Sequence, residues 1–160
     1  ITIMKNLIEG LKTIHGKGIV HRDIKPQNIL VNPTTSQIMF IDFGAACVRG
    51  DPICWKRYAG SLRYIDPELI IMEAAKDFSQ VSFEFLINAD IWSLGSTMFE
   101  VYFSEVLFDE RKMTDKLGQI ITEGRQKKFS VNEFTQPIRD IIMREIKNTI
   151  KPLELSLIHI

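Results

Sequence analysis

Several things are scarce in this chain, and each scarcity closes off a class of protein. Its 160 residues carry 20 basic and 20 acidic side chains, so no surplus of one sign marks it for nucleic acid or an acidic membrane surface. Apolar runs are short: Leu69-Ile70-Ile71-Met72 is typical, far below the length needed to span a bilayer. There are two cysteines, Cys47 and Cys54, without metal-ligand spacing around them. That is too few for a disulfide-built scaffold; they read as two free thiols in a reducing, cytoplasmic compartment, with a redox clasp as the alternative. No internal repeat or low-complexity tract is present. What is there is ordinary for a globular domain, with 45% apolar and 25% charged residues and enough length to bury a core.

Hydrophobic spacing sorts the first half into elements. Ile3, Leu7, Ile8, Leu11 and Ile14 form a helical stripe over residues 2–15, stopped by Gly16-Lys17-Gly18. Ile19-Val20 is a short extended piece. Ile29–Val31 and Ile38–Ile41 read as two strands around the turn-rich Asn32-Pro33-Thr34-Thr35-Ser36. Asp66-Pro67-Glu68 opens a helix, with proline and an acid in its first turn. Asn88–Phe103 is apolar on most faces and is expected to be a buried central helix. Further helices are expected at 115–122 and 137–148, and nothing after residue 44 reads as a strand. The fold class is therefore mostly α, α+β overall: a helical body with one small hairpin.

The chemistry sits on two loops flanking that hairpin. One holds His21-Arg22-Asp23-Ile24-Lys25-Pro26-Gln27-Asn28; the other holds Asp42-Phe43-Gly44, with Asp42 nineteen positions after Asp23. Transfer of a phosphoryl group to a hydroxyl calls for this set: a carboxylate to orient the attacking oxygen, a cation for the moving phosphate, and oxygen ligands for Mg2+. Mg2+ keeps several waters and takes few protein ligands, so one asparagine and one aspartate suit it. Asp23 or Asp42 alone would more often be a turn or cap residue; their joint spacing carries the functional reading.

These residues resemble those of the protein kinase superfamily, serine/threonine branch, across residues 1–154. Four motifs occur in order: HRDIKPQN at 21–28, DFG at 42–44, GSLRYIDPE at 60–68 and DIWSLG at 90–95. The resemblance implies a C-terminal-lobe fold without the N-lobe sheet, and transfer of the γ-phosphate of ATP, with Mg2+, to Ser or Thr hydroxyls of a protein substrate. Under it, Asp23 is the base, Lys25 steadies the phosphate, and Asn28 and Asp42 hold Mg2+. Leu30 floors the adenine pocket, and Ser61 and Tyr64 shape the substrate site. His21 and Phe43 stack in a packed column, Glu68 supports the substrate segment, and Asp90 holds the catalytic loop from below. Arg22 is the usual receiver of an activating phosphate. Between Gly44 and Gly60, however, there is no Ser or Thr and only Tyr58 could carry one, so Asp51 or acids near Glu68 are expected to stand in.

The sequence also departs from the family pattern. None of its nine glycines forms a GxGxxG loop, and no strand with a phosphate-pairing lysine precedes the catalytic loop. The chain alone is expected to bind ATP poorly, and a kinase-like binding scaffold is the alternative reading. The interval from Glu68 to Asp90 is long for the family, so 72–86 is expected to be a surface insertion. Leu155–Ile160 is what a common transposase sequencing adapter encodes in one frame, and those residues are set aside.

Overall fold

A computed structural model of the chain describes residues 2–53 and 59–107, together with 140 and 144. The expected helix at 115–122, nearly all of that at 137–148, and Leu155–Ile160 lie outside the described residues. The order of elements is α1 (Thr2–Gly16), β1 (Ile19–Val20), β2 (Ile29–Val31), β3 (Ile38–Phe40), β4 (Cys47–Val48), α2 (Pro67–Ala75) and α3 (Phe83–Phe103). Single 3-10 turns occur at Pro26–Asn28 and Phe43–Ala45. No described helix is long and apolar enough to cross a membrane.

Helix α1 buries Leu7 and Leu11, while Ile8 is half exposed, so the stripe is narrower than the spacing implied. It lies hard against β3 because Gly10 has no side chain; a Cβ there would stand 2.8 Å from Ile38 Cδ1. Antiparallel β2 and β3 pair Ile29 with Phe40, Leu30 with Met39 and Val31 with Ile38. Their turn is held by Asn32, whose Oδ1 accepts from the amides of Thr34 and Thr35. Asn6 Nδ2 donates to Ser36 O at 2.7 Å and fastens the turn to α1.

Four expectations are corrected here. A strand does follow residue 44: β4 pairs antiparallel with β1, Ile19 opposite Val48 and Val20 opposite Cys47. Two residues carry no readable alternation, and this pairing is dictated by a partner far back in the chain. The central helix starts at Phe83 rather than Asn88, capped by Ser82, whose Oγ accepts from Phe85 N at 3.1 Å. The interval 72–86 is consequently not a surface insertion: Phe83 and Leu86 are 5% and 2% exposed and belong to the core. Helix α3 is also not buried all round, since Ile91 and Tyr102 are more than half exposed.

Two apolar clusters hold these elements together. One packs Leu7 and Leu11 of α1 with Ile24, Phe40 and Leu94. The other joins Val20 and Cys47 to Leu69, Ile70 and Ile71 of α2 and to Phe83, Leu86 and Ala89 of α3. Ile24, between Asp23 and Lys25, is 1% exposed, so the motif loop is nailed to the first cluster from within. Emptying such a site costs about 2–5 kcal/mol, a large share of a small domain's stability. Arg49, past β4, lies 4.1 Å over the Phe83 ring and pairs with Glu84, tying that segment to the start of α3.

Candidate active site

The loop between β1 and the Pro26–Asn28 turn alternates buried anchors with half-buried polar groups. His21, Ile24 and Asn28 are 0%, 1% and 5% exposed. Arg22, Asp23 and Lys25 between them keep part of their surface in solvent. Arg22 adopts φ +68°, a left-handed conformation uncommon for a bulky residue, which turns the chain sharply into Asp23.

What holds that turn is Asp90 of α3, itself 1% exposed. Its Oδ2 accepts from His21 N at 2.7 Å and its Oδ1 from Arg22 N at 2.8 Å. His15, in the last turn of α1, adds a third contact, Nε2 to Asp90 Oδ2 at 2.9 Å. A buried carboxylate is costly unless its lone pairs are satisfied, and here three donors converge on it. His21 packs its ring against Phe43 with centroids 4.7 Å apart. Its Nδ1 faces Asp23 N at 3.3 Å and so accepts, leaving Nε2 to donate to Ile41 O at 3.0 Å. Both ring nitrogens are occupied, and the ring serves as a satisfied core group linking the two loops.

Asp23 gathers three side chains. Lys25 Nζ lies 2.8 Å from its Oδ2, Asn28 Nδ2 donates to the same oxygen at 3.0 Å, and Ser61 Oγ donates to Oδ1 at 2.8 Å. Lys25 Nζ also donates to Ser61 Oγ at 2.9 Å, so the serine sits between lysine and carboxylate. Burial works to raise the Asp23 pKa, but the bonds from Lys25, Ser61 and Asn28 with the lysine charge outweigh it and hold the carboxyl below its ordinary value. A carboxylate has about four lone-pair sites. Three are taken among the described residues, which leaves one on Oδ1 for an incoming hydroxyl.

Asn28 gives both amide hydrogens to Asp23, to its backbone O at 2.8 Å and to Oδ2. The amide orientation follows from those acceptors and turns Oδ1 to other use. Asp42 stands at φ +61° as cap of the Phe43–Ala45 turn, one carboxylate oxygen accepting from Gly44 N. The two residues are tied through the backbone, Ile41 N donating to Asn28 O at 2.9 Å. Among the described residues no group of three His, Cys, Asp or Glu side chains comes together as a metal cluster. One amide oxygen and one carboxylate fit a hard cation that keeps waters and takes phosphate oxygens, and do not fit zinc.

The remaining candidates lie around this centre. Gly60, at φ +119°, lets the Ser61 segment pass directly over the Arg22 carbonyl. Tyr64 is 4% exposed and donates to Glu100 Oε2 of α3 at 2.5 Å. Burial first, then that bond and the Glu100 charge, push the phenol up to about 12. As placed, Tyr64 anchors the Ser61–Asp66 segment from inside. Glu68 lies in the first turn of α2 and donates its amide to the Asp66 cap at 2.8 Å. Leu30 is 54% exposed on β2. With Met39 it borders a groove of about 750 Å³ between α1 and the hairpin, which touches none of Asp23, Lys25, Asn28 or Asp42.

Arg22 Nη1 lies 2.9 Å from Cys47 Sγ. Burial pushes the guanidinium pKa down and the Asp90 charge partly offsets this. The expected free thiol at Cys47 is corrected: Cys47 is disulfide-bonded, in a segment whose second cysteine, Cys54, lies outside the described residues. Tyr58 also lies outside them. Asp51 spends its carboxylate on its own turn, accepting from Ile53 N at 2.9 Å. Sequence reasoning missed His15 and Glu100. Each makes its contact with a residue far along the chain, and the one local hint is a histidine in the last turn of an otherwise amphipathic helix.

A helical body, a hairpin, and two polar segments, residues 21–28 and the one carrying Ser61, that meet at the Asp23 carboxylate make up a kinase-like fold. The chain belongs to the protein kinase family: a model of the protein kinase domain matches residues 1–154. Among solved structures, it resembles a chain of the yeast RNA Pol II CTD kinase CTDK-1 complex, at 24% identity and a TM-score of 0.55. The match covers 67% of this chain and 32% of that one, so this chain spans about a third of that relative's length.

Proposed function

We propose that the protein carrying this chain is a serine/threonine protein kinase, transferring the γ-phosphate of ATP to a protein hydroxyl, and that residues 1–154 supply the C-lobe half of its active site. The observation that carries this is the Asp23 carboxylate, with three partners fixed and one lone-pair direction open. Held below its ordinary pKa, Asp23 is a weak base and a good acceptor. It orients the substrate hydroxyl along Oδ1 and takes the proton late, once the oxygen has begun to bond to phosphorus. Lys25, 2.8 Å from Asp23 Oδ2, places a cation where the transferring phosphoryl group gathers charge. Ser61 sets the distance between them and presents the edge of the segment on which a peptide would lie. Asn28 Oδ1 and the Asp42 carboxylate would hold Mg2+, which when bound neutralises phosphate charge. Their part is to stand on two loops whose spacing the Ile41–Asn28 bond fixes.

The test is phosphate transfer by the full-length protein from labelled ATP to a mixed serine, threonine and tyrosine peptide pool, with phosphoamino-acid analysis. Label on serine and threonine, abolished in Asp23→Asn and Asp42→Asn, is the expected result. A folded full-length protein that transfers nothing would make it a kinase-like scaffold, and label on tyrosine alone would overturn the proposed specificity.

A further inference from the structure

Two cysteines, seven positions apart, flank the turn after β4, and the first of them touches the loop that carries Asp23. We propose that the disulfide at Cys47 is a redox switch: a dithiol reductant opens it, Cys47 departs as a thiolate beside the Arg22 guanidinium, and the Ser61 segment loses its hold next to Asp23. The rate consequence rests on the kinase reading; the opening of the bond and the loosening of the segment do not.

The chain holds one other cysteine, Cys54, so within it the bond at Cys47 closes a loop of eight residues. Inside that loop Gly50 stands at φ +88° and Asp51 N donates to Val48 O at 3.1 Å, a tight turn. A loop this short gains less stability from closure than a long one, so the bond acts mainly on its own surroundings. The Cys47 sulfur is out of a reductant's reach: the residue is 1% exposed, opposite Val20 in the β1–β4 pair and packed with Leu69 and Ile70. Val48 to Ile53 are all exposed, so a reductant arrives from the loop and attacks the other sulfur.

A thiolate of the reductant attacks the Cys54 sulfur, the S–S bond breaks, and its electron pair leaves on Cys47. A disulfide opens faster when its departing thiolate is better stabilised. Arg22 Nη1, 2.9 Å from Cys47 Sγ, supplies a cation where that charge appears. The reductant's second thiol then displaces Cys54, and the reductant finishes as a disulfide. Two electrons have passed to the chain. Cys54 takes up one proton, the other goes to solvent, and Cys47 stays anionic against Arg22.

What the bond governs is slack. Cys47 is fixed in the core, and Gly60, thirteen positions on, lies against the Arg22 carbonyl. With the bond closed, the covalent path between those anchors is the six positions after Cys54; opened, it is all thirteen. Ser61 follows Gly60 directly and meets Asp23 and Lys25 through bonds of 2.8 Å and 2.9 Å. Tyr64 N and Ile65 N donate back to its carbonyl. Added slack falls on this turn, and the oxidised form is the assembled one.

The test uses the full-length protein, oxidised with diamide or reduced with dithiothreitol, with the state of Cys47 and Cys54 read by alkylation and peptide mass. Reduction should quicken hydrogen exchange at the Tyr64 and Ile65 amides about tenfold while β2–β3 is unchanged. It should lower kcat/KM for peptide phosphorylation about tenfold, through displacement of Ser61. Reoxidation restores both, and Cys54→Ser stays at the reduced level under either treatment. Arg22→Gln, which keeps a donor and loses the charge, should slow opening by dithiothreitol about tenfold. The proposal is overturned by equal exchange in the two redox states, by equal kcat/KM in an active enzyme, or by a Cys54 that alkylates in the oxidised protein. An Arg22→Gln that opens as fast as wild type overturns it too; if that variant does not fold, the wild-type comparison decides. A protein that transfers no phosphate in either state sinks the kinase reading alone, because exchange at Tyr64 and Ile65 still decides the switch.

Discussion

Replacing Gly60 by alanine tests whether the Ser61 segment and the Asp23 loop are one rigid unit. The new Cβ would stand 2.8 Å from the Arg22 carbonyl oxygen and 3.3 Å from Ile65 Cδ1, at a backbone φ of +119°. The isoleucine methyl can turn away; the carbonyl belongs to a backbone already pinned by Asp90 and cannot. Two costs therefore combine, about 1–3 kcal/mol for a side chain in this conformation and about 1–3 kcal/mol for overpacking. Gly50 provides the control: φ is +88°, and a Cβ there meets nothing within 4 Å, so Gly50→Ala carries the first cost alone. In the full-length protein, denaturant unfolding should place Gly60→Ala about 2–6 kcal/mol below wild type and Gly50→Ala about 1–3 kcal/mol below. Both variants still fold if the domain starts from the upper part of the ordinary range of about 5–15 kcal/mol. Their activities should part more sharply. Relieving the clash moves Ser61 by about half an ångström or more, enough to break its 2.8 Å and 2.9 Å bonds to Asp23 and Lys25. Displacements of this order cost up to about 100-fold in rate. If the two alanine variants matched in both stability and kcat, the close packing of Gly60 on Arg22 would be refuted.

Ser61→Ala removes the group between Lys25 and Asp23 and should lower kcat/KM about tenfold, the value of a charged hydrogen bond, in a peptide phosphorylation assay. Ser61→Thr should keep near-normal activity, since it retains the hydroxyl. Asp66→Asn should raise the melting temperature at neutral pH. Burial and the Glu68 charge, opposed by the Glu68 amide, leave the Asp66 pKa above its ordinary 3.8. Between 3.8 and that raised value the folded state binds more protons, so stability falls as pH rises through the window. Asparagine caps α2 equally well without the charge, and its advantage should vanish in melts run below that window. Tyr64→Phe should cost about 1.5–3 kcal/mol in denaturant unfolding, because Glu100 loses a hydrogen bond made to a charged group.

The parts that could be read from sequence are those whose cause is local. Helix α1 showed itself through its apolar spacing, and the hairpin through two apolar runs around an Asn-Pro turn. The start of α3 was readable in principle, because Ser82 followed by Glu84 in the first turn is a capping signal. It was hidden by assigning Phe83 and Leu86 to an insertion on grounds of interval length. Strand β4 could not be read at all, since two residues pair with β1 for reasons that lie almost thirty positions upstream. The disulfide at Cys47 was kept only as the alternative to free thiols, because cysteine counts speak to compartment and not to which thiols meet.

The site divides along the same line. Asp23, Lys25, Asn28 and Asp42 stand out in the sequence because the proposed chemistry calls for those residue types at close spacing. What holds them was not. Asp90 reaches across 69 positions to His21, His15 across 75 to Asp90, and Ser61 across 38 to Asp23. Such contacts leave no period in the sequence, and they matter most where regular structure is missing. Residues 21–25 form no ladder of their own, so the loop's rigidity comes from Ile24 sunk in one core cluster, His21 wedged beside Phe43, and a buried carboxylate under the backbone. Alternation of these anchors with Arg22, Asp23 and Lys25 lets a loop do what a strand does elsewhere: hold one face to the core and present the other. The polar residues of the motif carry the proposed reaction, and the apolar and buried ones between them are the reason the geometry around Asp23 persists.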